Sequence, residues 1–202
     1  PDALHEVWMK AVRLARHHEK RQYPRVCEDV ARRLMGVGKF QEAASMFRDV
    51  ESYKEAIDCY IRAGEWNEAR SLARLPAAKQ YSQYVEKRYK AHLADEGDAD
   101  NLAAAGATDA ALDLYVKKGQ WEQVFEVAAK QGGAVYKRYA VMYTEQQLKA
   151  GEPASVVKAF ARFGPPRDVP VATYKQLVEA VFAAPGTTPD TLNKTRDVIY
   201  KV

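Results

Sequence analysis

The chain has 202 residues, 47% of them apolar, enough to bury a sizeable core as one ordinary domain or as a run of helical pairs. Its 31 Lys and Arg against 27 Asp and Glu leave a formal charge of +4, mixed along most of the chain, so composition forces no nucleic-acid partner. Cys27 and Cys59 are the only cysteines, with no CxxC and no His at ligand spacing, which disfavours a disulfide framework and a zinc site and reads as intracellular and cytoplasmic.

No apolar run approaches the roughly 18 residues needed to cross a bilayer, and no signal-peptide pattern opens the chain. It begins at Pro1 and stops at Val202 within an apolar pattern, which reads as a segment of a longer protein. Proline placement does much of the segmentation, because proline suits the first helical turn and disrupts the interior. The first predicted helix runs from Asp2 to about Lys20, with Leu4, Trp8, Ala11 and Ala15 on one face and Arg13, Arg16, His17 and Lys20 toward another. A second, from Pro24 to about Val37, ends at Gly36 and Gly38.

Next comes one phrase, aromatic-x-Glu-Ala, written three times thirteen residues apart: Phe40-x-Glu42-Ala43, Tyr53-x-Glu55-Ala56 and Trp66-x-Glu68-Ala69. Thirteen residues make a helix of about ten or eleven plus a tight turn, so consecutive steps are antiparallel helices. Glu in the first turn complements the helix dipole, and the small Ala lets the neighbouring helix approach. Ser52-x-x-Glu55 has the pattern of a capping box. One such unit cannot bury its own apolar face, so the expected fold is all-α, a right-handed α-solenoid of antiparallel helix pairs of tetratricopeptide-like character.

A longer helix is predicted from Pro76 to about Leu93, with Tyr81, Tyr84, Val85, Arg88 and Tyr89 near one face. The acidic stretch from Ala94 to Asp100 lacks the ordered ligands and closing Glu of a calcium loop and reads as a solvated turn. It is the candidate seam, near 94–101, in an otherwise continuous solenoid over 1–202. The repeat resumes at Ala111 and Tyr115, with Trp121 thirteen after Thr108. Gly132-Gly133 precedes a helix striped with Tyr136, Tyr139 and Tyr143, read as core with hydroxyls at the edge. Gly151-Glu152-Pro153 opens another, Gly164-Pro165-Pro166 stops it, and two final helices follow from Pro170 and Pro189.

Nothing here has the form of a nucleophile elbow, a phosphate-binding glycine loop or a paired-carboxylate site, so no catalytic residue, cofactor or metal ligand is predicted. His17 and His18 diverge by about a hundred degrees on a helix and do not share a metal. The candidate partner-contact residues are Arg13, Arg16, Lys20, Arg21 and Arg25. They belong to a basic cluster with Arg32 and Arg33, interleaved by Glu19, Glu28 and Asp29, and a solvated face is the alternative reading.

Several irregular phrases are more specific than the repeat. Leu112-Asp113-Leu114-Tyr115-Val116-Lys117-Lys118-Gly119-Gln120-Trp121, the helix from Lys137 to Tyr143, and Ala161-Arg162-Phe163-Gly164-Pro165-Pro166 followed by Thr173-Tyr174-Lys175 resemble the C-terminal solenoid of the intraflagellar transport protein 172 family. Trp8-Met9, Lys54 to Asp58 and Ala184-Pro185-Gly186 extend the resemblance over most of the chain. It implies a non-enzymatic, tetratricopeptide-like scaffold of intraflagellar transport complex B, in the cilium or flagellum and at the ciliary base. The implied partners are other intraflagellar transport subunits of complex B and of complex A, with no nucleic acid, and the implied roles are ciliary assembly and train organisation or turnaround. A vesicle-coat solenoid is the competing architecture. A helical-repeat RNA reader is a weaker one, because the repeated residues are aromatics, alanines and glutamates rather than base-reading polar pairs.

Overall fold

The computed structural model describes residues 2–202, and within them the chain is all-helical, thirteen α-helices and one 3-10 segment without a strand. It divides into two compact units between His92 and Leu93. The first holds α1 (Asp2–His18), α2 (Tyr23–Gly36), α3 (Phe40–Asp49), α4 (Tyr53–Arg62), α5 (Trp66–Ala73), a 3-10 segment (Pro76–Tyr81) and most of α6 (Ser82–Glu96). The second holds α7 (Ala99–Ala104), α8 (Thr108–Lys117), α9 (Trp121–Gln131), α10 (Gly133–Lys149), α11 (Pro153–Phe163), α12 (Val171–Ala183) and α13 (Pro189–Ile199). Within each unit neighbouring helices pack on one another, as in an all-α solenoid; near the end α11 packs more on α13 than on α12.

The short phrase does what its residue sizes require. Ala43, Ala56 and Ala69 are all fully buried, and the residues one helical turn on, Phe47 and Tyr60, are buried as well. The phrase's own aromatics stay half-buried at the helix start, and Trp66 stacks on His92 of α6 at 5.0 Å and packs against Tyr89 at 5.3 Å. In the second unit the Ala position is filled by Leu102, Ala111, Val124 and Val156, all buried, so larger side chains serve where the helices leave more room.

The turns share one chemistry. Gly38, Glu51, Gly64, Gly97, Gly106, Gly119 and Gly151 all take left-handed φ values between 62° and 78°. After each, the next residue donates its backbone N–H to the carbonyl five positions back, at 2.8–2.9 Å, as in Ser52 N to Phe47 O. This is the Schellman closure, and it makes the last residue of the turn the N-cap of the following helix. The predicted capping box therefore does not form. The Ser52 N–H that Glu55 would satisfy is already donated to Phe47, and the Ser52 hydroxyl donates instead to Glu28 Oε1 on α2, at 3.2 Å.

Three further expectations are corrected. Leu4 and Ala11 do not face the core; α1 buries Val12 and Ala15 with Trp8 and Met9 packed beside them, while Leu4, Val7 and Leu14 are exposed. No continuous helix starts at Pro76. The proline forces Leu75 into an extended conformation, six residues follow in the tighter 3-10 geometry, and Ser82 caps back onto Ala73 O at 2.8 Å. The acidic stretch is mostly helical, its turn confined to Gly97 and Asp98: α6 runs through Glu96, and Asp98 is a true N-cap that accepts from Asn101 N at 3.1 Å. Asp100 beyond it accepts the Tyr115 hydroxyl at 2.5 Å.

Candidate interaction surfaces

In the first unit the five candidate cations flank the α1–α2 connection. Arg13 and Arg16 lie in the last turns of α1, Lys20 and Arg21 in the connection, and Arg25 in the first turn of α2. All five are exposed, and among the described residues none has a carboxylate within 4.0 Å. Arg16 is accounted for locally, since a cation suits a helix C-terminus and its guanidinium lies 5.9 Å from the Tyr23 ring. Arg25 is not: it sits at a helix N-terminus with no acidic residue in the first turn, where the dipole disfavours positive charge. Arg32 is withdrawn from the cluster by ion pairs to Glu28 at 3.1 Å and Asp29 at 3.3 Å. Arg13 shares a shallow cleft with Lys10, Leu14, His17 and His18, so the ridge carries an exposed apolar residue as well as charge.

Two buttresses of this unit escaped the sequence reading because their partners are distant in the chain. Arg70 on α5 donates to both carboxylate oxygens of Glu86 on α6, each at 2.7 Å, and lies over the Tyr89 ring at 3.9 Å. Hydrogen bonding from Arg70 holds the Glu86 carboxyl below its ordinary value. Glu42 is contacted by His5 at 2.5 Å and Lys39 at 3.3 Å; partial burial pushes its carboxyl up, and these two donors outweigh it to hold the group low.

The second unit contains a cleft of about 810 Å3 where two turns depart from the Schellman form. Gly132 and Gly164 continue the thirteen-residue glycine spacing of Gly106 and Gly119 and of Gly151, yet have φ/ψ of 116°/168° and 89°/149°, a region open essentially to glycine alone. After Gly164 the Schellman bond is chemically impossible, since Pro165 has no N–H to donate. The chain leaves α11 extended, and the Tyr136 hydroxyl donates to the Gly164 carbonyl at 2.5 Å. The apolar lining comes from Ala129, Ala134, Phe163 and Pro165, with Phe163 held by stacking on Phe125 at 5.3 Å. Lys137, Arg167 and Lys201 also line it, against the single carboxylate of Asp168; Lys137 Nζ donates to the Asp168 backbone carbonyl.

The tyrosine stripe lies in the core as its spacing predicts: Tyr136, Tyr139 and Tyr143 are buried, and the Tyr139 hydroxyl reaches Asp113 at 3.3 Å. Burial pushes Tyr136 up to about 12, and burial with the Asp100 hydrogen bond does the same for Tyr115. Cys27 and Cys59 are free and buried, burial pushing Cys59 up to about 11. Among the described residues no group of three or more His, Cys, Asp or Glu is placed to hold a metal ion. Among them, too, no helix is long and apolar enough to cross a membrane.

Stacked helices closed by one repeated turn, with charge displayed outside, define the class: an all-α helical-repeat protein. No protein-family model matches the chain. It is 36% identical over 168 residues to the intraflagellar transport protein 172 homolog of Danio rerio, which covers 82% of this chain and 9% of that protein. It is 32% identical over 182 residues to the Homo sapiens homolog, and 30% identical over 206 residues to intraflagellar transport protein 172 of Chlamydomonas reinhardtii. These cover 89% and 100% of this chain. The chain belongs to the intraflagellar transport protein 172 family, and spans about a tenth of the length of the curated relatives it matches.

Proposed function

We propose that the chain is a protein-interaction scaffold of an intraflagellar transport complex, acting in the cilium or flagellum by binding rather than by turnover. The observation that carries this reading is the similarity to intraflagellar transport protein 172, sustained over 168 to 206 residues of a helical array. Repeated helices expose long faces and turns to partners, which suits assembly more than chemistry. In this reading the partners are other intraflagellar transport subunits, of complex B and of complex A, and the output is train organisation during ciliary assembly.

Within that reading the ridge of Arg13, Arg16, Lys20, Arg21 and Arg25 meets an acidic surface of a neighbouring subunit. Two points support it: among the described residues the cations have no acidic partner, and Arg25 is placed against the dipole preference of its own helix. Exposed charge acts mainly on association rate. The test is affinity capture of transport subunits from flagellar extract by the intact chain, followed by association kinetics with a captured subunit. R13E/R16E/K20E is expected to slow association while leaving helicity unchanged and lowering the thermal midpoint only slightly, through the lost Arg16 contacts with the α1 C-terminus and Tyr23. Unaltered kinetics in that variant would reduce the ridge to a solvated face, and failure to capture any transport subunit would defeat the scaffold reading itself.

A further inference from the structure

We propose that the cleft between the α9–α10 turn and the α11–α12 connection is a docking groove for an acidic, extended peptide segment of a partner protein. The inference rests on the scaffold reading but concerns a different surface, in the second unit. Three features converge. The cleft is large, about 810 Å3, and lies within a range typical of ligand sites. Its charge is predominantly positive: Lys137, Arg167 and Lys201 come from three separate segments against the one carboxylate of Asp168, and among the described residues none of the three has a carboxylate within 4.0 Å. Lys137 spends one donor on the Asp168 carbonyl, which fixes its ammonium beside the cleft and leaves its charge uncompensated.

The third feature is the backbone. At Gly132 and Gly164 the repeat spacing calls for the left-handed turn used elsewhere, and both instead adopt extended, positive-φ conformations that only glycine tolerates well. A Cβ on either would meet nothing within 4 Å, so close packing is not why glycine stands there. The two departures hold the turns apart and leave Ala129, Ala134, Phe163 and Pro165 lining an open slot. An extended segment with Asp or Glu at alternate positions suits this arrangement, its acidic side chains meeting the cations while intervening apolar side chains rest on Phe163 and Pro165. A nucleic acid would find the positive charge, but the two aromatic rings of the lining, Phe163 and Tyr136, are both already packed against Phe125, which favours peptide over bases.

The experiment uses the intact chain and a fluorescein-labelled ten-residue peptide of alternating glutamate and leucine, followed by anisotropy. The wild type is expected to bind with an affinity that falls as salt rises. K137E/R167E/K201E should bind at least tenfold more weakly, and A129E, which narrows the slot and adds a like charge at an exposed position, should also weaken binding. A control reversal in the first unit, K54E/K87E, should bind as the wild type does. Equal peptide binding by the triple variant, no binding by the wild type, or tighter binding of an oligouridine RNA than of the peptide would each overturn the proposal. Capture of transport subunits by a chain that ignores the peptide would separate the loss of this groove from the loss of the scaffold reading.

Discussion

Both units use glycine turns thirteen residues apart, but they use them differently. In the first, Gly38, Glu51 and Gly64 all close by the Schellman bond, and Ala43, Ala56 and Ala69 allow helices of about ten residues to stack at close quarters. In the second, Gly106, Gly119 and Gly151 close the same way while Gly132 and Gly164 do not, and a broad cleft lies at those two turns. The comparison teaches that the spacing of glycine sets where helices end. Whether the turn then closes by the Schellman bond depends on the backbone conformation of the glycine, and at Gly164 the proline that follows rules that bond out.

The largest effect that bears on this comparison is expected at the small-residue position. Leu102→Ala in the second unit should leave a cavity at a fully buried site and cost about 2–5 kcal/mol, read by chemical denaturation. Ala56→Leu, its counterpart in the first unit, should overpack a tight contact and cost about 1–3 kcal/mol. If both substitutions were neutral, the equivalence of the two positions would fail.

Turn chemistry comes next. Gly119→Ala should destabilise by about 1–2 kcal/mol, because an L side chain is strained at φ 70° although space is open around it. Glu51→Gly should stabilise by roughly 1 kcal/mol, since it relieves the same strain at φ 62° and loses part of the gain to unfolded-state entropy. Opposite signs in the thermal midpoints are the expected result, and a destabilised Glu51→Gly would show that Glu51 is held there by something other than its turn.

The smallest effect separates the turn that cannot close from those that do. Tyr136→Phe removes the hydroxyl that answers the Gly164 carbonyl and should cost about 1 kcal/mol at neutral pH. Burial raises the Tyr136 hydroxyl to about 12, above its unfolded value of roughly 10, so its contribution is complete below pH 10 and is lost as pH rises from 10 to 12. Stability of the variant, followed across that window, should therefore fall less steeply than that of the wild type. Identical slopes would mean that Tyr136 ionises as readily folded as unfolded.

Much of this was legible in residue order. The buried alanines, the tyrosine core and most helix boundaries followed from periodicity and proline, because they depend on neighbours three to thirteen residues away. The candidate surfaces were legible only in part: Arg13 to Arg25 stood out as a charge run, whereas Lys137, Arg167 and Lys201 lie too far apart to form one. The misread Ser52 is instructive, since its pattern matched a capping box and only the prior commitment of its N–H to Phe47 forbade it.

Residue order alone established an all-helical chain, the register of its repeat, and some of the glycine positions at which helices stop, such as Gly38, Gly151 and Gly164, because each is a short-range consequence of side-chain size, backbone freedom and hydrogen-bond capacity. The folded arrangement was needed to pair Arg70 with Glu86, to turn Ser52 toward Glu28, and to gather three cations around one cleft. Those outcomes depend on which distant helix faces are brought together, and on which donors the local turns have already used.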